Sequence, residues 1–186
     1  YADHYTLLGD QGLVGWEISD ALANPLQPTL GKFYAFSGKV FTKETFLYGF
    51  WWVYVCVLLL FTLGIRTLLS AFLAWLLHLT LMNTCRFGAY GVESILNIAF
   101  FYAIFFPCGQ ALAFDSKWQT GTPTAHARVS LRILQIQLCI IYVASGVEKA
   151  WGQEWWNGNA IWYSLTEEQF RQFDFSWMAD HPWIPR

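Results

Sequence analysis

Charge is what this chain has little of. Acidic and basic residues make up 13% of its 186 residues, against about a quarter in ordinary soluble domains. Eleven Lys and Arg face thirteen Asp and Glu, a formal net charge of −2 at pH 7. There is thus no basic excess of the kind that neutralises a phosphate backbone, and no nucleic-acid partner is expected. P-loop, GxGxxG, HExxH, paired CxxC and GxSxG elements are also missing, and with them the sequence marks of soluble nucleotide-binding, zinc and serine-nucleophile enzymes. No internal repeat or low-complexity tract suggests a solenoid or a linker. The four cysteines, Cys56, Cys85, Cys108 and Cys139, lie in or at the ends of apolar runs. A thiol there behaves as a small hydrophobe and says little of redox compartment. Nothing near Tyr1 combines a basic n-region, an apolar h-region and a small-residue cleavage site, so the chain is expected to begin inside a longer protein or after further residues.

What the chain does have is apolar sequence, 55% hydrophobic and 19% aromatic, which points to a membrane. Residues 1–45 mix Gly, Pro, Asn and charges and hold no run long enough to cross a bilayer, so they read as an extramembrane segment. From Thr45 to Ile65, 21 residues carry no charge, enough for a spanning helix, which needs about 20. Thr67 to Cys85 gives 19 more, joined so closely to the first that the two predict a tight antiparallel hairpin. Ser94 to Phe114 gives 21, with Pro107 near its far end, where neighbours can satisfy the carbonyl that a proline frees.

The fourth run, Ile133 to Val147, has only 15 uncharged residues, about 22 Å of helix against a hydrocarbon core of about 30 Å. A span over 129–149 therefore requires Arg132 to snorkel to one interface, or Glu148 and Lys149 to lie at the membrane boundary. Arg128, Arg132, Gln135, Cys139, Tyr142, Gly146 and Lys149 recur at alternating spacings of four and three. They form one helical stripe, expected to face the bundle interior or a wet cavity. The expected architecture is all-α, a polytopic transmembrane bundle with four spans at about 45–65, 67–85, 94–114 and 129–149, followed by an aromatic interfacial segment over 150–186. Lysine and arginine divide four against four between the two sides, Lys32, Lys39, Lys43 and Arg86 against Arg66, Lys117, Arg128 and Arg132, so the positive-inside rule sets no orientation.

Several side chains are candidates for a site, each beside a plainer role. Lys149 with Glu148 is either an interfacial anchor or a base, because apolar surroundings disfavour the charged form of a lysine. Trp151, Trp155, Trp156, Trp162 and Tyr163 have the composition of an aromatic belt, or of a flat pocket for a ring such as a quinone. Asn83, Arg86 and Glu93 flank the loop on the same side as the segment after Lys149 if the spans alternate. They read as caps and interfacial charges or as further lining. His78 has a structural role across helices, or relays a proton, or serves as an axial ligand to haem or a chlorophyll-type pigment. A Soret or chlorin band would mark the last of these.

The segment "RILQIQLCIIYVASGVEKAWGQEWWNGNAIWYSL", Arg132 to Leu165, resembles the signature helix of the HTTM membrane domain, found in vitamin K-dependent γ-glutamyl carboxylases and many bacterial relatives. "LMNTCRFGAYG" before the third run and "FFPCGQALAFD" at its end are similar to further family pieces. In those carboxylases a lysine at the end of this helix is assigned as the base that deprotonates vitamin K hydroquinone, so the resemblance implies that role for Lys149. It also implies that residues 1–45, the loop at Arg86 to Glu93 and the Lys149 side face the lumen or periplasm. At one point the chain departs from the pattern: Asn83 is followed by Thr84, where the carboxylases carry a histidine.

Two functions are therefore expected as alternatives. In the first, a quinol-handling enzyme uses Lys149 as base, oriented by Glu148, with Trp155, Trp156, Tyr163, Tyr142, Asn83 and Arg86 around the ring, and with vitamin K or menaquinol as the implied cofactor type. In the second, a non-catalytic subunit packs its aromatic, lipid-like surface into a larger respiratory or photosynthetic membrane complex. Membrane lipids are partners in both.

Overall fold

Uncharged runs of about 20 residues are the length of a spanning helix, about twice that of a spanning strand, and a helix pairs its backbone groups within its own segment. The computed structural model describes residues 15–85, 91–110, 113–114 and 124–166. Of these described residues 78% are helical and none lies in a strand. The chain divides into two compact units, residues 1–128 and 129–186.

The first unit begins with two short helices, α1 (Trp16–Leu22) and α2 (Leu30–Phe36). The Thr29 hydroxyl caps α2 by accepting from the Lys32 amide, and it donates to the Asp20 carboxylate. Lys32 Nζ in turn reaches back to the Asn24 and Gln27 carbonyls at 2.8 and 2.9 Å. This pair of helices closes one end of the apolar helices that follow. Ser19 Oγ donates to the Thr84 carbonyl at 2.8 Å, the Leu30 amide donates to Thr84 Oγ1 at 3.0 Å, and Trp16 packs edge-on against Tyr34 and Phe46.

Helix α3 (Lys43–Thr62) starts where Thr42 Oγ1 accepts the Thr45 amide, with Glu44 in the first turn where the helix dipole favours an acid. It stops at a four-residue link, 63–66, in which Gly64 (φ 69°) and Arg66 (φ 43°) are left-handed. The absence of a side chain at Gly64 also lets the Ala113 backbone lie against it, and the Phe114 amide donates to the Leu63 carbonyl at 3.0 Å. Helix α4 (Thr67–Thr84) then runs back. Leu47, Phe50, Tyr54 and Val57 line one face of α3, and Ser70, Ala71 and Ala74 offer small residues on α4, the pairing that lets apolar helices approach closely.

Helix α5 (Gly91–Phe105) ends before the sequence led us to expect. Pro107 disfavours helical geometry at Phe106, and the backbone turns instead, with the Cys108 amide on the Phe106 carbonyl and the Gln110 amide on that of Pro107. Its 15 residues give about 22 Å, less than a hydrocarbon core of about 30 Å. Near its start, the Glu93 carbonyl lies beside His78, six residues before α4 ends. Near its finish, Gly109 lies against Thr67, the first residue of α4. α5 therefore begins about 6 Å inside one end of α4, and the turns after Phe105 complete the return to the hairpin.

Helix α6 (Ala125–Trp151) starts in the first unit and runs mostly in the second, followed by α7 (Gln153–Trp156) and α8 (Asn159–Thr166). Where the sequence has only 15 uncharged residues, the helix has 27, about 40 Å. Charge limits insertion into lipid but not helicity, and arginine is a good helix former, so the turns carrying Arg128 and Arg132 simply continue it. Among the described residues three helices, α3, α4 and α6, are long and apolar enough to cross a membrane.

Candidate functional site

The site is built from the last turn of α6 and the two short helices after it. α6 closes at Gly152, whose amide donates to the Glu148 and Lys149 carbonyls at 3.1 and 3.2 Å, satisfying two of the carbonyls that every helix end leaves unpaired. The chain then folds into α7, and the Trp156 indole Nε1 donates to the Ala150 carbonyl at 2.6 Å. That bond fastens α7 to the end of α6. Trp155 comes over Gly152, and Lys149 Nζ lies 5.0 Å above the centroid of its ring. This is the geometry in which an aromatic face attracts an ammonium.

Trp155, Trp156, Asn157, Gly158 and Asn159 line a surface hollow of about 530 Å³, which the exposed Lys149 meets only through the Trp155 ring. Gly158 shapes it with a left-handed backbone, φ 77°, which permits the sharp turn from α7 into α8. Asn157 and Asn159 carried no expectation from the sequence. Their signal was the Asn-Gly-Asn punctuation between two tryptophan-rich stretches, which marks a turn but says nothing about where the amides point.

The expected site residues fall into three groups. Lys149, Trp155 and Trp156 come together. Glu148 is the neighbour of Lys149 but sits about 100° further round the helix, since adjacent residues on a helix do not share a face. Tyr142 lies two turns earlier, 77% exposed, and Tyr163 is on α8, also exposed; neither lines the hollow.

Asn83 belongs to the first unit, where its Nδ2 donates to the Pro28 carbonyl at 3.0 Å and ties α4 to the link between α1 and α2. Arg86 lies outside the described residues. His78 is buried, and both of its ring nitrogens are engaged. Nδ1 is 2.9 Å from the Tyr54 hydroxyl, and Nε2 is 3.2 Å from the Glu93 carbonyl. Because a carbonyl can only accept, Nε2 carries the proton there. In the neutral ring, Nδ1 then accepts from Tyr54. Phe100 packs edge-on against the imidazole, so axial ligation of a metal would cost His78 one of two hydrogen bonds in a closed apolar setting. Among the described residues no group of three or more His, Cys, Asp or Glu could hold a metal ion.

The described residues are thus all-helical in their regular structure, with three helices long and apolar enough for a multi-pass membrane protein and an aromatic, amide-lined hollow after the end of α6. Comparison with models of known families, with curated proteins and with solved structures gives no match.

Proposed function

We propose that the chain is an HTTM-type multi-pass membrane protein whose site at the end of α6 takes the proton of a quinol or similar ring acid. The observation that carries this reading is the Lys149 ammonium 5.0 Å over the Trp155 ring, beside the hollow that Trp155 shares with Asn157 and Asn159. The residues present fit such a ligand. Two indoles offer faces to a planar ring, and each asparagine offers one acceptor and two donors to its hydroxyls. A quinol supplies a dissociable hydroxyl proton on a ring that can then be oxidised. Lys149 in its amine form takes that proton, breaking the O–H bond and forming N–H, and the resulting ammonium rests on the Trp155 face. The indole stabilises the charge that the transfer creates.

In this reading the chain crosses the membrane four times, with α5 and the turns after it as the third crossing. Irregular backbone at membrane depth is tolerated where its polar groups are paired, as the amides of Phe106, Cys108 and Gln110 are. An even number of crossings places residues 1–45 and the segment after Lys149 on one side, the periplasmic or lumenal one by the family resemblance.

A second reading, a non-catalytic subunit of a larger membrane complex, is favoured by the exposed apolar side chains around α6, a helix in which Ser130 alone is buried. A titration of the detergent-solubilised protein with menaquinol or a vitamin K hydroquinone analogue separates the two. Saturable binding, with quinol oxidation lost in Lys149→Ala, is expected. Absence of binding by wild type and variant alike would remove the quinol reading and leave the subunit.

A further inference from the structure

Side chains on a helix form ridges along every fourth residue, with grooves between them. On α6 two such ridges stand out, one of Arg132, Ile136, Ile140 and Ala144 and the other of Gln135, Cys139 and Val143, and the groove between them encloses about 490 Å³. Its chemistry is graded. At one end Arg132 Nη1 donates to Gln135 Oε1 at 2.8 Å, and the guanidinium keeps four further N–H donors. From Ile136 onward every lining side chain is apolar. The thirteen residues from Arg132 to Ala144 extend about 18 Å, close to the depth of one leaflet, about 15 Å of hydrocarbon.

From this grading we infer that the groove holds one anionic phospholipid, its phosphate on Arg132 and Gln135 and an acyl chain laid along Ile136, Ile140 and Val143. Charge complementarity selects the lipid over a packed helix. A helix seated in the same groove would need its own acidic group placed opposite Arg132, whereas a leaflet presents phosphate oxygens at that level, and an anionic lipid presents them without a choline cation to offset the guanidinium. Guanidinium matches them in forked geometry. Arg128, one turn earlier on the same side of the helix, adds a second positive charge at the headgroup level. The polar stripe read from the sequence therefore has a use that does not depend on the site at Lys149: its first half anchors a lipid along a helix whose own side chains are almost all exposed.

The test uses the full chain reconstituted into discs containing equal phosphatidylglycerol and phosphatidylcholine, then released for native mass spectrometry of retained lipid. Wild type is expected to keep phosphatidylglycerol in preference to phosphatidylcholine at one per chain. Arg132→Gln should weaken that retention about tenfold, the weight of one charge-assisted hydrogen bond. Ile140→Trp, which fills the groove and leaves the charge, should abolish it. Lys43→Gln, at the start of α3, should change nothing, and millimolar inorganic phosphate should not displace the lipid. Equal retention of both lipids would overturn the inference, as would an equal loss in Arg132→Gln and Lys43→Gln. So would oxidation of Cys139 into a disulfide-linked pair of chains in the membrane, which would show the groove occupied by a second copy.

Discussion

Removing one hydroxyl, in Tyr54→Phe, is the perturbation that most directly tests the packing of the first unit. Tyr54 is on α3, His78 on α4 and the Glu93 carbonyl on α5, so two hydrogen bonds of 2.9 and 3.2 Å join three helices through one imidazole. The substitution removes no packing volume, because the phenyl ring remains beside His78, 7% and 6% exposed respectively in the native chain. What it leaves is Nδ1 without a donor in a closed apolar setting. An unpaired buried acceptor costs about 1–3 kcal/mol. Hydrogen bonds between membrane helices are worth less, about 0.6 kcal/mol on average and up to about 1.7. Burial on all sides puts this one at the upper end, and about 1–2 kcal/mol of destabilisation is expected.

His78→Leu leaves the Tyr54 hydroxyl as the orphan and should cost a similar amount. The double variant replaces both partners with apolar groups and should be closer to wild type than the sum of the two, because a pair removed together leaves nothing unsatisfied. The assay is reversible unfolding in mixed micelles, followed by tryptophan fluorescence, on all four proteins of the cycle. A Tyr54→Phe variant within about 0.3 kcal/mol of wild type, or a strictly additive cycle, would refute the reasoning and return His78 to the role of relay or ligand.

Two further outcomes follow from the ends of the helices. Gly64→Ala places a side chain at φ 69° against the Ala113 backbone, and should lower stability in the same assay by at least about 1 kcal/mol, whereas Gly49→Ala, where an added Cβ meets nothing within 4 Å, should be neutral or slightly stabilising. Thr84→Val removes the acceptor of the Leu30 amide, a loss of about 1–3 kcal/mol that should appear as faster limited proteolysis between residues 23 and 42, with the apolar helices left intact.

How far the fold could be read from the sequence depended on which physical limit set each boundary. The ends of α3 and the start of α4 follow from local chemistry: a Thr cap, a run without charge, then Gly64 and Arg66. At α5 and α6 two different limits come apart. Counting uncharged residues estimates how much chain lipid accepts, but helix length is set by backbone rules. Pro107 stops α5 inside an uncharged run, and nothing stops α6 at Arg132. The same distinction explains the segment before residue 45. Its mixed composition showed that it does not cross a membrane. That it folds into two helices whose Ser19 and Leu30 bond to one threonine, Thr84, is a tertiary fact with no local signature.

The candidate site shows the same division at the level of single side chains. Lys149 and Trp155 are six apart, a spacing that places them on no common helical face, and their meeting requires the helix to end between them. Gly152 supplies that end, and Trp156 fixes it by bonding to Ala150. A projection extended through Lys149 as a continuous helix would therefore have carried the tryptophans away from the lysine rather than onto it. The break also decides what the lysine can do. On an uninterrupted helix its ammonium would have no ring partner, and it would serve as an anchor alone. Folded back under α7, the chain brings an indole face to the charge and two amides to the adjoining hollow. A continuous-helix variant, Gly152→Ala with Asn157→Ala and Gly158→Ala, should thus keep its helicity and membrane insertion while losing the contact between Lys149 and Trp155. The measurement is the fluorescence of a protein whose other tryptophans are phenylalanine: Lys149→Gln should change Trp155 emission in the native turn and leave it unchanged in the straightened one. Persistence of the change in the straightened one would show that the contact does not need the break.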